Sequence, residues 1–238
     1  MKKRWVIPDT HGCVKTVEAL FANIIKPARY DEIWFLGDYI DRGPDSRGVV
    51  DFIRRLQKDE YNVVALKGNH EDMAVELFDA ENSKGGGWLK LFGAKKQNAW
   101  LEMGGKETLK SFGVSHASEI PPDYIEWMRA LPYYVNLENF VLVHAGLNFK
   151  NEDPYEDKLS MLWLRDYEIK PEKIGFRKII HGHNPVHMEL LIQTIKTNFY
   201  KFIDLDNGIY MKDRDGYGNL VALELNSMEV VIQDNLDL

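Results

Sequence analysis

Cysteine is almost missing from this chain: Cys13 is the only one in 238 residues. That excludes an intramolecular disulfide and a cysteine zinc cluster, and it agrees with a reducing, cytoplasmic compartment. Long apolar runs are missing too, so no membrane span is expected. The basic start Lys2-Lys3-Arg4 reaches Asp9 before an adequate apolar segment develops, so no leader peptide is expected either. Positive charge is in deficit. The formal net charge is −7, and no run of like charge is long enough to form an interaction tail, which argues against a nucleic-acid surface. Repeats and low-complexity tracts are likewise lacking.

What is present is 45% hydrophobic residues over a length that fits one large domain. Five short blocks stand out. They are Asp9-Thr10-His11-Gly12, Gly37-Asp38-Tyr39-Ile40-Asp41-Arg42-Gly43, Gly68-Asn69-His70-Glu71, Val143-His144-Ala145-Gly146 and His181-Gly182-His183-Asn184-Pro185. The blocks set oxygen or nitrogen ligands beside a glycine after runs of β-formers, where a sheet delivers side chains to a shared rim. Because they extend from residue 9 to residue 183, one site would draw on most of the chain, and residues 1–238 are expected to form a single domain.

Residues 3–8 read as a buried strand. Val14, Val17, Leu20, Phe21, Ile24 and Ile25 then recur at helical spacing. The pattern repeats with a strand at 32–36 and a helix ending near Lys58, and again with a strand at 61–66 and a helix over about 71–78. Such βαβα order predicts an α/β core with functional residues on loops beyond the strand carboxyl ends. The order breaks at about 79–132, where Gly85, Gly86, Gly87, Gly104 and Gly105 punctuate a segment holding Trp88, Trp100 and Trp127. This reads as a helical insertion, either a plain covering layer or a substrate-contacting one. Beyond it, 133–136 and 140–143 suggest a hairpin leading into His144. The apolar stretches at 190–195, 199–203, 220–225 and 228–232 suggest antiparallel strands that supply a second sheet.

The blocks describe a candidate two-metal centre. Asp9 and His11 can face one cation, Asp38 can bridge, and Asn69, His144 and His183 complete a second position. Mixed oxygen and nitrogen donors without thiolate suit manganese first, then iron or zinc, over magnesium or calcium. Any one of these residues alone has an ordinary structural explanation, but five of the seven histidines fall inside the blocks. Two cations about 3.5 to 4 Å apart can share a hydroxide that attacks a phosphoryl group directly, with no phosphoenzyme. His70 suits the proton donor to the leaving group with Asp41 behind it, the alternative being that His70 is another ligand and Asp41 a turn residue. Arg42 suits a bidentate grip on phosphate or a salt bridge within its turn, and Arg165 a second clamp or a surface position. His181 is open between a supporting position and an alternative ligand. Cys13 is either a redox-sensitive thiol or a small buried hydrophobe, the second being preferred.

Taken together, the blocks resemble the phosphoprotein phosphatases, in particular the bacterial and bacteriophage branch of these calcineurin-like metallophosphoesterases. The resemblance implies two mixed β-sheets flanked by helices, with Asp9, His11 and Asp38 on one metal. Asp38, Asn69, His144 and His183 would hold the other. It also implies Asp41 with His70 as the proton-donating pair, Arg42 on phosphate, and Arg165 of Leu162-Trp163-Leu164-Arg165 as the second arginine. The expected activity is hydrolysis of phosphoserine or phosphothreonine in a protein or peptide, with no obligate partner. The rival is symmetrical hydrolysis of dinucleoside polyphosphates such as diadenosine tetraphosphate, whose enzymes typically lack an aspartate at the Asp41 position.

Overall fold

The computed structural model describes residues 2–83 and 96–238. Gly85, Gly86, Gly87 and Trp88 lie outside the described residues. Two mixed sheets form the architecture. In the first, β1 (Arg4–Ile7), β2 (Glu32–Phe35) and β3 (Asn62–Ala65) run parallel, and β8 (Asn219–Glu224) and β9 (Glu229–Asp234) continue the sheet antiparallel from β1. The second has the order β4 (Tyr134–Asn136), β5 (Phe140–Val143), β6 (Lys178–His181) and β7 (Phe202–Asp204). There β4 pairs antiparallel with β5, the expected hairpin, and the other two pairs are parallel.

Strand alternation divides the core in three. Val6, Trp34, Leu36, Val221 and Leu223 of the first sheet face Leu142, Ile180 and Ile203 of the second, forming the filling between the sheets. The opposite faces turn outward onto helices. Trp5, Ile7, Ile33, Phe35, Leu220 and Ala222 pack under α1 (Val14–Ala19), which continues as π-helical turns over Leu20–Ile25, and under α2 (Ser46–Lys58). On the far side, Val141, Val143 and Ile179 pack with Phe149, Met161 and Ile174. The buried Val49, Val50, Phe52, Ile53 and Leu56 are the inward stripe of α2, whose first turn is capped by Asp45 accepting from the Gly48 N–H at 2.8 Å.

Several expectations need correction. Residues 190–195 belong to a helix, Met188–Lys196, because Met188, Leu191, Ile192 and Ile195 recur at helical rather than strand spacing. This helix lets β7 return parallel to β6, where an antiparallel strand was expected, since a parallel pair needs a crossover. Strands β8 and β9 extend the first sheet instead of building the second. The third helix, α3 (Asn69–Asn82), begins earlier than 71, so Asn69 and His70 occupy its first turn. The 79–132 region is helical where described. It contains helical turns over 96–100, π-helical turns at Leu101–Gly105, α4 (Lys106–Phe112) and α5 (Pro122–Ala130). No helix among the described residues is long and apolar enough to cross a membrane.

Ile180 is fully buried at the centre of the inter-sheet filling. Truncation of Ile180→Ala is expected to lower unfolding free energy by about 2–5 kcal/mol, read as an earlier urea midpoint at unchanged slope. A midpoint that does not move would contradict this packing.

Candidate metal centre

All five blocks arrive at one place, because the carboxyl ends of β1, β2, β3, β5 and β6 point to the same rim. The rim is stitched across the two sheets: His144 Nδ1 donates to the Leu36 carbonyl at 3.0 Å, and the His183 N–H donates to the Asp9 carboxylate at 3.1 Å. Asp38 sits at the middle with one oxygen turned each way. Its Oδ2 lies 3.7 Å from His11 Nε2, and its Oδ1 lies 3.4 Å from His144 Nε2. Around these, Asp9 Oδ2 stands 3.9 Å from His11 Nε2, while Asn69 Oδ1 stands 2.9 Å from both His144 Nε2 and His183 Nδ1. Donor atoms sharing one ion at roughly 2.1 Å stand about 3 to 4 Å apart, and these spacings fall in that range.

The proton arrangement tests the fit. His11 and His144 each spend the Nδ1 proton on a carbonyl, of Ile40 and Leu36 respectively, which leaves Nε2 with its lone pair facing carboxylate oxygens. Burial holds both imidazoles below the ordinary histidine range, and it pushes His183 down to about 3. Neutral imidazoles and a carboxylate thus aim lone pairs at common points, an arrangement that a cation satisfies. Burial opposes ionisation of Asp38, but His144, His70, His11 and His183 outweigh it and hold the carboxyl well below its usual range. Asp9 goes the other way, raised by burial and by the charges of Asp206 and Asp38. Two ligand-spaced groups, His11 with Asp38 and His70, and Asp38 with His144 and His183, fit a pair of divalent ions with Asp38 common to both, while Asp9 stands beside the first group without being counted in it.

The other predicted residues also come to this rim. His70 Nδ1 pairs with Asp41 Oδ2 at 2.6 Å, both side chains buried. Burial works against the His70 imidazolium, but Asp38 and Asp41 raise its pKa overall. His70 Nε2 lies 3.7 Å from Asp38 Oδ2, so His70 stands beside the ligands as well as in the pair. The Arg42 guanidinium is turned over the cluster, donating from Nη1 to His11 Nε2 at 3.0 Å and stacking at 4.0 Å on Tyr210. Arg165 is exposed, near enough for its charge to help keep His183 neutral. Its neighbour Trp163 meets the His183 ring edge-on at 6.2 Å. His181 is absent from both ligand groups; it touches the Gly182 carbonyl and Phe202 and is pushed down to about 4 by burial. Strand alternation does not carry from His181 to His183, since β6 ends at His181 and His183 has φ 70°. Cys13 is buried with Sγ on the His11 carbonyl, and burial pushes its thiol up to about 12, as suits a packed residue rather than a reactive one.

Sequence reasoning missed four contributors. Glu71 is fully buried and accepts backbone N–H groups from Gly68, Asp38, Tyr39 and Ile40, so it shapes the Asp38 loop. A glutamate three residues after Gly68 is a helix-start signature and could have been found. Asp206 is buried beside Asp9, and burial raises it to about 6. Trp100 and Thr108 both bond Asp41 from the helical region, at a sequence distance that no local pattern announces. The loops themselves are strained. Of nine non-glycine residues with positive φ among the described residues, five are His11, Asp38, Asp41, Arg42 and His183. Each such conformation costs about 1–3 kcal/mol and persists only where its surroundings hold it.

Likeness to known proteins identifies the family. The calcineurin-like phosphoesterase family model matches residues 2–217. Serine/threonine-protein phosphatase 1 of Salmonella typhimurium is 34% identical over 196 residues, 78% of this chain and 80% of that protein. The symmetrical bis(5'-nucleosyl)-tetraphosphatase of Cellvibrio japonicus is 26% identical over 147 residues, which is 60% of this chain but only 44% of that relative's length. A Saccharomyces cerevisiae protein serine/threonine phosphatase structure superposes with a TM-score of 0.63 at 17% identity, covering 100% of this chain and 81% of that one, a likeness of fold.

Two outcomes are expected. Because the Asp9 carboxyl is raised while the histidines are already neutral, low pH should protonate Asp9 and compete with the ion, so manganese affinity should rise with pH. Calorimetry in buffers of different ionisation heat should detect protons released on binding, and no buffer dependence would refute it. A Cβ at residue 182 would fall 2.1 Å from Asp9 Oδ1. Gly182→Ala should therefore weaken manganese binding at least about 10-fold, as losses around metal ligands do. Binding unchanged in a folded variant would show that Asp9 is not a ligand.

Proposed function

The chain belongs to the calcineurin-like phosphoesterases, and from that premise we propose that it is a phosphoprotein phosphatase, a phosphoric monoester hydrolase acting on phosphoserine and phosphothreonine. The observation that carries the reading is the buried 2.6 Å pair of His70 and Asp41 beside the ligand cluster. A monoester with an alkoxide leaving group needs a proton donor, and this pair provides one.

Asp9, His11 and Asp38 would hold one ion, and Asp38, Asn69, His144 and His183 the other, with manganese the first choice and iron or zinc the alternatives. When bound, two such ions supply an activated water and concentrated positive charge at the phosphoryl group. The chain's own groups do the rest. Arg42, stacked on Tyr210, takes phosphoryl oxygens through its guanidinium fork, and Arg165 approaches from the Trp163 side. Asp41 holds His70 by Nδ1, so Nε2, which faces Arg42 Nη2 at 3.3 Å, is the nitrogen that would carry a proton to the leaving oxygen. Among the described residues the cluster offers no seryl or cysteinyl nucleophile, which supports direct attack by water.

We also read residues 1–238 as one domain carrying a helical insertion at about 79–132, since the gathered ligands span residues 9 to 183. The partner is a phosphorylated protein or peptide, with no membrane or nucleic-acid role, and the single buried thiol supports a cytoplasmic setting. The second reading is dinucleoside polyphosphate hydrolysis, favoured by the Cellvibrio japonicus relative.

Metal-stripped protein reconstituted with manganese, iron or zinc should be assayed on phosphoserine, phosphothreonine and phosphotyrosine peptides and on diadenosine tetraphosphate. Expected is phosphate release from the first two, abolished by chelator and restored by manganese. A kcat/KM far higher on diadenosine tetraphosphate would replace this reading with the second.

A further inference from the structure

Among the described residues, the helical region meets the site at the Asp41-Arg42 turn, and it does so with polar atoms. Asp41 Oδ2 accepts from His70 Nδ1 at 2.6 Å and from Trp100 Nε1 at 2.8 Å, while Oδ1 accepts from Thr108 Oγ1 at 2.5 Å. The Thr108 hydroxyl has one proton, and it is committed to Oδ1. The proton between Ser46 Oγ and Thr108 Oγ1, 2.8 Å apart, must therefore come from Ser46. The Asp41 backbone N–H reaches both hydroxyl oxygens at 2.9 Å. Every member of this network is buried. The Arg42 N–H, in turn, donates to the Gly104 carbonyl at 3.2 Å. That approach needs glycine, since a Cβ at residue 104 would lie 2.5 Å from the Arg42 nitrogen and its φ is +108°.

We propose that Trp100 and Thr108 are positioning residues for proton delivery: they fix the plane of the Asp41 carboxylate and so hold His70 with Nε2 toward the leaving group. The inference rests on the reading of His70 as proton donor. A covering layer would bury the Asp41 turn with apolar contacts alone. Here an indole N–H and a hydroxyl, both removed from water, are directed at the one carboxylate that grips His70. A carboxylate bonded on both oxygens by three donors from separate elements cannot turn about its Cβ–Cγ bond without breaking one of them, which makes His70 rigid. Asp41 and Arg42, with φ of 70° and 69°, also need an outside brace, and the same helical region supplies it.

Leaving-group chemistry separates this role from a structural one. A serine alkoxide needs its proton as the bond breaks, whereas p-nitrophenolate is stable without it. Turnover of a phosphoserine peptide and of p-nitrophenyl phosphate should be measured for Trp100→Phe, Thr108→Val, Thr108→Ser and His70→Asn in manganese-loaded protein. Expected for Trp100→Phe and Thr108→Val is a kcat loss about 10- to 100-fold greater on the peptide than on p-nitrophenyl phosphate, within the span of general-acid contributions. His70→Asn should show the same selectivity, Thr108→Ser should return most of the loss, and calorimetric manganese affinity should stay put in Trp100→Phe and Thr108→Val. Thr108→Val, nearly isosteric, carries the test if Trp100→Phe does not fold. Equal losses on both substrates with His70→Asn still selective would overturn the positioning role alone, as would manganese affinity falling in step with kcat. Equal losses for His70→Asn itself would overturn the proton-donor reading and this inference with it.

Discussion

One buried carboxylate organises this protein. Asp38 is almost fully withdrawn from water, faces His11 and His70 with one oxygen and His144 with the other, and its carboxyl is held below its usual range in spite of its burial. A charge in such a place needs partners, and those partners come from both sheets. The parallel strands of the first sheet bring His11 and Asn69. The second sheet brings His144 and His183. Nothing local connects these segments, so the site exists only when the sheets are packed, and the apolar filling led by Trp34, Leu142 and Ile180 is as necessary to it as the ligands.

The strain in the loops follows from the same demand. Donor atoms must meet within a few ångströms, and ordinary extended or helical backbone does not deliver five loops to one point. His11, Asp38, Asp41, Arg42 and His183 therefore take left-handed conformations that few side chains favour. Buried hydrogen bonds hold them there. Glu71 gathers the backbone of the Asp38 loop, and the helical region gathers Asp41 and Arg42. Rigidity of this kind suits chemistry in which orientation and a fixed field do most of the acceleration.

Much of this was legible beforehand because short-range chemistry announces itself. A glycine beside a ligand after a β-rich run marks a strand end whether or not its neighbours are known, so the strand, loop and helix cycles through α3 were readable. The stretch around Leu190 was misread because apolar runs of that length suit a strand or a helix, and only the recurrence of Met188, Leu191, Ile192 and Ile195 separates them. The partnering of β8 with β1 could not be read from either strand, since both pair equally well with any edge of matching polarity.

The sequence by itself determined which side chains can bind a cation, carry a proton or grip a phosphate, because those capacities belong to residue types and their immediate spacing. Tertiary structure decided which of them share a focus: that Asp38 is divided between two imidazole groups, that His181 is left out where His183 is taken in, and that Trp100 and Thr108, far along the chain, brace Asp41. The reason is physical. Hydrogen bonds and charge interactions act over a few ångströms, and only the packing of two sheets and their helices brings residues so distant in the chain within that reach.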